Sequence, residues 1–129
     1  MPNKTYALEW LNLAYKNLET ARLLVRENHF TDSIAIEVQQ SIEKSFKTVY
    51  AFNGVSIPKT HNLIYLQKEV NKYINLDFIE FDDLLKISDY YEVDRYPGPR
   101  YVVPSREEVN ANFVIAESIY KTIRQHIEK

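Results

Sequence analysis

Apolar residues recur along most of the chain at alternating three- and four-residue steps, the repeat of one face of a helix. From about Thr5 to Glu27 this face is Leu8, Leu11, Tyr15, Leu18, Ala21 or Arg22, and Val25. Asn28 and His29 interrupt the pattern. Thr31 is then placed to cap a second helix, which carries Ile34, Val38, Ile42, Phe46 and Val49 before an Asn53-Gly54 stop. After the connector VSIPK, Thr60 is the expected N-cap of a shorter helix through Leu63, Leu66 and Val70. A fourth helix, about Asp77 to Tyr91, follows from Phe78, Phe81, Leu84, Leu85, Ser88 and Tyr91, and runs into VDRYPGPRYVVP. Ser105-Arg106-Glu107-Glu108 reads as a capping box, in which hydroxyl and carboxylate satisfy exposed backbone N–H groups. It opens a last helix with Val109, Phe113, Ala116, Tyr120, Ile123 and Ile127 on one face.

Only 2 Gly and 5 Pro occur in 129 residues, with the prolines at the edges of periodic segments, so helices are favoured over turn-linked strands. The expected fold is all-α, an up-and-down bundle of four to five helices forming a single domain over residues 1–129. A hydrophobic share of 45% supplies a core at this length without disulfides or a structural metal. The formal net charge of -2 excludes a generalised basic field of the kind that coats a polyanion, so any RNA contact has to be local. The absence of cysteine removes thiol nucleophiles and Cys-ligated zinc, and agrees with a reducing compartment. No stretch approaches the roughly 18 apolar residues of a membrane span, and the first residues contain no uninterrupted apolar region. The expectation is a soluble, cytoplasmic protein without a membrane contact.

Several chemistries are missing from the sequence. A dimetal helical bundle needs Glu-x-x-His pairs, yet the residues three before His29, His61 and His126 are Arg26, Pro58 and Ile123. Gly54 and Gly98 alone cannot build a phosphate-cradling loop, no two His lie four apart, and no nucleophile elbow supports a Ser-His-Asp triad. Neither a metal nor a cofactor is expected.

Two segments carry candidate chemistry. In QQSIEKSFKTVYAFNG, Gln40, Lys44 and Lys47 are spaced i, i+4, i+7 and share a helix face, with Glu43 able to pair with Lys47 one turn on. Such a stripe is either a solvated face or a grip for a phosphate or a carboxylate. His61, after Pro58-Lys59-Thr60, is expected in the first turn of the third helix, where N–H groups favour anions, or as a packing or capping residue. The second segment, residues 88–106, interleaves Tyr90, Tyr91, Tyr96 and Tyr101 with Arg95, Arg100 and Arg106, a combination suited to stacking a base and holding phosphate. Asp89, Glu92 and Asp94 balance those arginines, so a discrete ligand or a protein partner fits better than a long polyanion. The alternative is a proline-stiffened loop whose tyrosines cover the end of the bundle.

Three stretches resemble the HEPN (higher eukaryotes and prokaryotes nucleotide-binding) superfamily: LNLAYKNLETARLLVRENHFTDS, QQSIEKSFKTVYAFNGVSIPKTHNL and YYEVDRYPGPRYVVPSREEV. In the middle stretch Gln40, Glu43, Lys44, Lys47, Pro58, Thr60, His61 and Leu63 match in order and spacing. The resemblance implies a bundle of four or five helices, commonly a homodimer, often encoded beside a small nucleotidyltransferase of toxin–antitoxin type. Many such proteins are metal-independent ribonucleases, with an Arg followed after four to six residues by a His, late in the chain. Here Arg95 lies in that region but YPGPRYVVPS follows it with no His, while Arg22 and His29 match only in spacing and lie at the end of the first helix. The resemblance therefore implies a form without the nuclease signature, a nucleotide- or partner-binding module. On this reading Lys44, Lys47, His61, Arg95, Tyr96 and Arg100 contact the ligand, supported by Gln40, Glu43, Asp89 and Tyr90. In a divergent ribonuclease, Arg95 and His61 would be catalytic. A purely structural dimerising bundle is the third reading.

Overall fold

The computed structural model describes residues 3–93, 98 and 102–129, and these form α1 (Lys4–Arg26), α2 (Thr31–Phe52), α3 (Leu63–Val70), α4 (Phe81–Val93) and α5 (Arg106–Glu128). No strand occurs among the described residues. The all-α bundle expected from periodicity is what the chain builds. Helix α2 is its centre: α1, α2 and α5 pack on one another, and α2, α3 and α4 form a second mutually packed set.

The reason lies in the residues of α2. Ile34, Val38, Ile42, Phe46 and Val49 are fully buried, and Ala35, Ser41, Ser45 and Thr48 bury further sides of the same helix. A helix apolar or small on most of its circumference is stable only when surrounded. Each large side chain so buried contributes roughly 1.5–3 kcal/mol of transfer free energy. The predicted faces of α2 and α5 are all buried.

Helix α1 buries Leu11, Leu18 and Ala21 as its periodicity predicts, but its inward face is rotated away from Leu8 and Tyr15. Its buried stripe is Ala7, Leu11, Ala14, Leu18 and Ala21, while Leu8 and Tyr15 are 42% and 45% exposed. The alanines let the α1 backbone approach α2 closely enough for the Ser41 hydroxyl to donate to the Ala14 carbonyl at 3.2 Å. That approach leaves the bulkier Leu8 and Tyr15 on the flank.

The helix ends also differ from expectation in places. Asn28 sits at φ 51° between α1 and α2, a left-handed conformation that Asn tolerates better than most residues. Phe30, not Thr31, occupies the N-cap of α2 and supplies no side-chain bond. Gly54, at φ 68°, closes the other end as the Asn53-Gly54 pair predicts. Helix α3 is capped by Asn62, whose side chain accepts from Tyr65 N at 3.0 Å, while the Thr60 hydroxyl accepts from Asn62 N at 3.2 Å. Helix α4 starts at Phe81 rather than Asp77, because the Asn75 side chain accepts from Asp77 N at 2.8 Å and holds a turn there. Phe78, Phe81 and Leu85 are exposed, whereas Leu84, Ile87, Ser88 and Tyr90 are buried. Ser105 caps α5 by accepting from Glu108 N at 3.1 Å. The Glu108 carboxylate is engaged across the interface with α4 instead of completing the box, binding Lys86 at 3.2 Å and the Tyr90 hydroxyl.

Candidate functional site

The middle of α2 carries polar side chains into the interior. Glu43 and Lys47, one turn apart, are both nearly inaccessible and pair at 2.9 Å. The Lys47 ammonium also stands 5.7 Å from the centroid of the Trp10 ring, whose face attracts a cation. The second oxygen of Glu43, Oε1, lies 2.9 Å from Nδ1 of His61. Gln39, fully buried, donates to that same oxygen at 3.2 Å and to the His61 carbonyl at 3.0 Å. Gln40 donates to the Gln39 side chain at 2.7 Å and reaches Glu43 at 3.4 Å. A buried carboxylate is costly unless paired and hydrogen-bonded, and Glu43 is both. The stripe expected to face solvent or ligand is thus spent at Lys47 on an interior ion pair. Lys44 is spent on Asn17 of α1, at 2.9 Å, and Asn17 in turn donates to Glu37 at 2.9 Å.

His61 is the point at which this network reaches the surface. Its ring stacks on Tyr91 of α4, with centroids 3.6 Å apart and planes inclined by 16°. Both rings line a cleft of about 320 Å³ together with Lys59, Asn62, Asp89 and Glu92. His61 lies ahead of α3, not in its first turn, and most leading N–H groups of that helix are already bonded. Leu63 N donates to the buried Ser88 hydroxyl at 2.9 Å, Tyr65 N to Asn62, and Leu66 N to the Asn62 carbonyl. The anion-binding helix end expected there is therefore largely closed.

The other expected site residues are dispersed. Asp89 lines the cleft. Tyr90, on the opposite side of α4, is buried, and its hydroxyl binds Glu108 and accepts from Asn112 at 2.9 Å, which ties α4 to α5. Arg106 donates to the Asn28 carbonyl at 3.1 Å. Arg95, Tyr96 and Arg100 lie outside the described residues. Arg22 bridges Glu19 and Glu117 at 2.9 and 2.7 Å and covers the Phe113 ring. The bonds to Glu19 and Glu117 hold its pKa above the ordinary arginine value, and it joins α1 to α5 rather than acting with His29. Among the described residues no His, Asp and Glu side chains gather into a group of three that could hold a metal. No helix of these residues is long and apolar enough to cross a membrane.

Gln39 and Ser88 were not among the expected site residues, and Tyr91 entered only as one of the tyrosines of the second candidate segment. Gln39 and Ser88 each carried a signal, since both are polar residues at core positions of an apolar stripe, beside Ile42 and Phe46 and beside Leu84 and Ile87. A second hollow, of about 400 Å³, lies between the end of α2 and α3 and is lined by Tyr50, Pro58, Tyr65 and Lys68. It is larger than the imidazole cleft, but none of its lining residues is bonded to the buried Glu43–Lys47 pair. The imidazole cleft therefore holds the stronger chemical candidate.

The family model described as HEPN domain matches residues 7–126. The chain belongs to the HEPN family. "Putative toxin MJ1304" of Methanocaldococcus jannaschii is 28% identical over 106 residues, a match covering 77% of this HEPN chain and 68% of that protein. The crystal structure of TT1696 from Thermus thermophilus superposes with a TM-score of 0.76 at 20% identity, covering 93% of this chain and 97% of the other. ST0689, described as an archaeal HEPN homologue, gives a TM-score of 0.67 at 19% identity and covers 94% and 97%. At those identities the two structures speak for the HEPN helical-bundle fold.

Proposed function

We propose that this HEPN chain acts as a single domain in the cytoplasm, as a non-catalytic module of a toxin–antitoxin-type system that binds a nucleotide in the cleft between α3 and α4. A second copy of the chain and a small nucleotidyltransferase are its proposed protein partners. The observation that carries the reading is the stacked His61–Tyr91 pair, held from behind by Glu43 and lining a cleft of about 320 Å³. That volume is at the small end of the roughly 300–1,000 Å³ typical of small-molecule pockets. The relative named as a toxin supports the system assignment. Arg95 and Tyr96, which lie outside the described residues, are proposed as further ligand-binding residues.

A second reading is favoured by one feature. A carboxylate that orients an imidazole is also the arrangement of a general base, and the Glu43–His61 pair opens on the cleft. In a divergent ribonuclease His61 would take the 2'-hydroxyl proton while Arg95 stabilised charge on the phosphate.

One experiment separates the two. Thermal unfolding is followed with nucleoside triphosphates, because a ligand selective for the folded state raises apparent stability, and RNA cleavage is followed without metal. The proposal expects stabilisation and no cleavage. Cleavage by the wild type that His61→Ala abolishes would replace it with the ribonuclease reading.

A further inference from the structure

Glu43 dictates which nitrogen of His61 carries the proton. Its Oε2 is paired with Lys47 at 2.9 Å, and its Oε1 accepts from Gln39 at 3.2 Å while facing Nδ1 at 2.9 Å. An ionised carboxylate has no proton to donate, so the contact to Nδ1 is a bond only if the imidazole donates from that nitrogen. The neutral ring then has its lone pair on Nε2. Nε2 has no hydrogen-bond partner among the described residues, and the side chain is 43% exposed. Turning the ring to exchange its nitrogens would break its stack on Tyr91.

The rest of the cleft points the same way. Asp89 and Glu92 add acceptors to its lining, against Lys59 as the one lysine or arginine among the described lining residues. Two carboxylates oppose a phosphate there, whereas they suit a ligand edge made of N–H donors.

Resting on the nucleotide-binding reading, we infer that the ligand enters this cleft base first and donates from an exocyclic amino group to Nε2 of His61, leaving its phosphates outside. The site then selects bases with an amino group, such as adenine and cytosine, over their carbonyl counterparts hypoxanthine and uracil. A carbonyl oxygen placed against the Nε2 lone pair would meet acceptor with acceptor, which loses the bond and adds repulsion.

The test is calorimetric titration with two matched pairs, ATP against ITP and CTP against UTP, in which amino is exchanged for carbonyl on the same ring. The wild type is expected to bind the amino member about tenfold more tightly, the ratio corresponding to one hydrogen bond of about 1.4 kcal/mol. In His61→Phe the aromatic stack on Tyr91 is kept and Nε2 is removed, so the preference is expected to vanish while binding of all four persists more weakly. Equal affinities within each pair in the wild type would overturn the inference and leave nucleotide binding standing. A preference retained by a folded His61→Phe would overturn it as well. No binding of any of the four would overturn both the inference and the reading beneath it. The wild-type ratios decide the matter even if the variant fails to fold.

Discussion

His61, on the connector before α3, and Glu43, in the middle of α2, stand 18 residues apart in sequence and 2.9 Å apart in space. The pair links an interior ion pair to the surface of a cleft. It gives the cleft a ring whose position and proton are both set from behind.

The first consequence concerns stability. Glu43→Ala leaves the Lys47 ammonium buried with no counter-charge, and breaking a buried pair from one side costs roughly 3–5 kcal/mol. Urea denaturation should show a loss of that size. A loss below about 1 kcal/mol, the range of exposed pairs, would contradict the burial of this network.

The second concerns alkaline pH. Burial, reinforced by the charges of Glu69 and Tyr65, pushes the Tyr50 phenol from 10.0 up to about 12. The folded state thus keeps this proton over a range in which the unfolded chain has released it. The stabilisation it confers is complete below pH 10 and is lost as pH rises through about 12. Tyr50→Phe should flatten the fall in stability across that window. At neutral pH it should cost about 1 kcal/mol, through the lost bond from the hydroxyl to the Leu66 carbonyl. Some slope should persist, because burial raises Tyr120 too. An unchanged alkaline profile would show that Tyr50 does not titrate differently in the two states.

Much of the fold was legible, and the exceptions have physical causes. The faces of α2 and α5 could be read because their inward residues are large and apolar, as with Ile42, Phe46, Phe113 and Ile123. On α1 the pattern picks out Leu11, Leu18 and Ala21 correctly but misses Ala7 and Ala14, which weigh little in a hydrophobic pattern although their small size helps to admit the neighbouring backbone. At the site, spacing disclosed the Glu43–Lys47 pair but not its burial. A polar stripe has the same period whether it faces water or an interior partner. The Glu43–His61 contact depends on how α3 returns onto α2, a tertiary fact that local periodicity does not encode.

The third prediction is association. Aromatic residues make up 13% of the chain, and α1 leaves Leu8, Leu13, Tyr15 and Leu23 each more than 40% exposed. Apolar surface of this kind on a small bundle is a candidate interface. Sedimentation at micromolar concentration is expected to give twice the 15.3 kDa mass of one chain. A single-chain mass throughout that range would contradict a homodimer.

In the proposed function a nucleotide occupies the cleft built on His61 and Tyr91. The direct measurement is an amide nitrogen–proton NMR titration of the labelled protein with ATP. Saturable shifts are expected to concentrate on His61, Asn62, Ser88, Asp89 and Tyr91, with Tyr50, Tyr65 and Lys68 at the second hollow left in place. Shifts centred on that second hollow, or no shifts at millimolar ATP, would contradict that function.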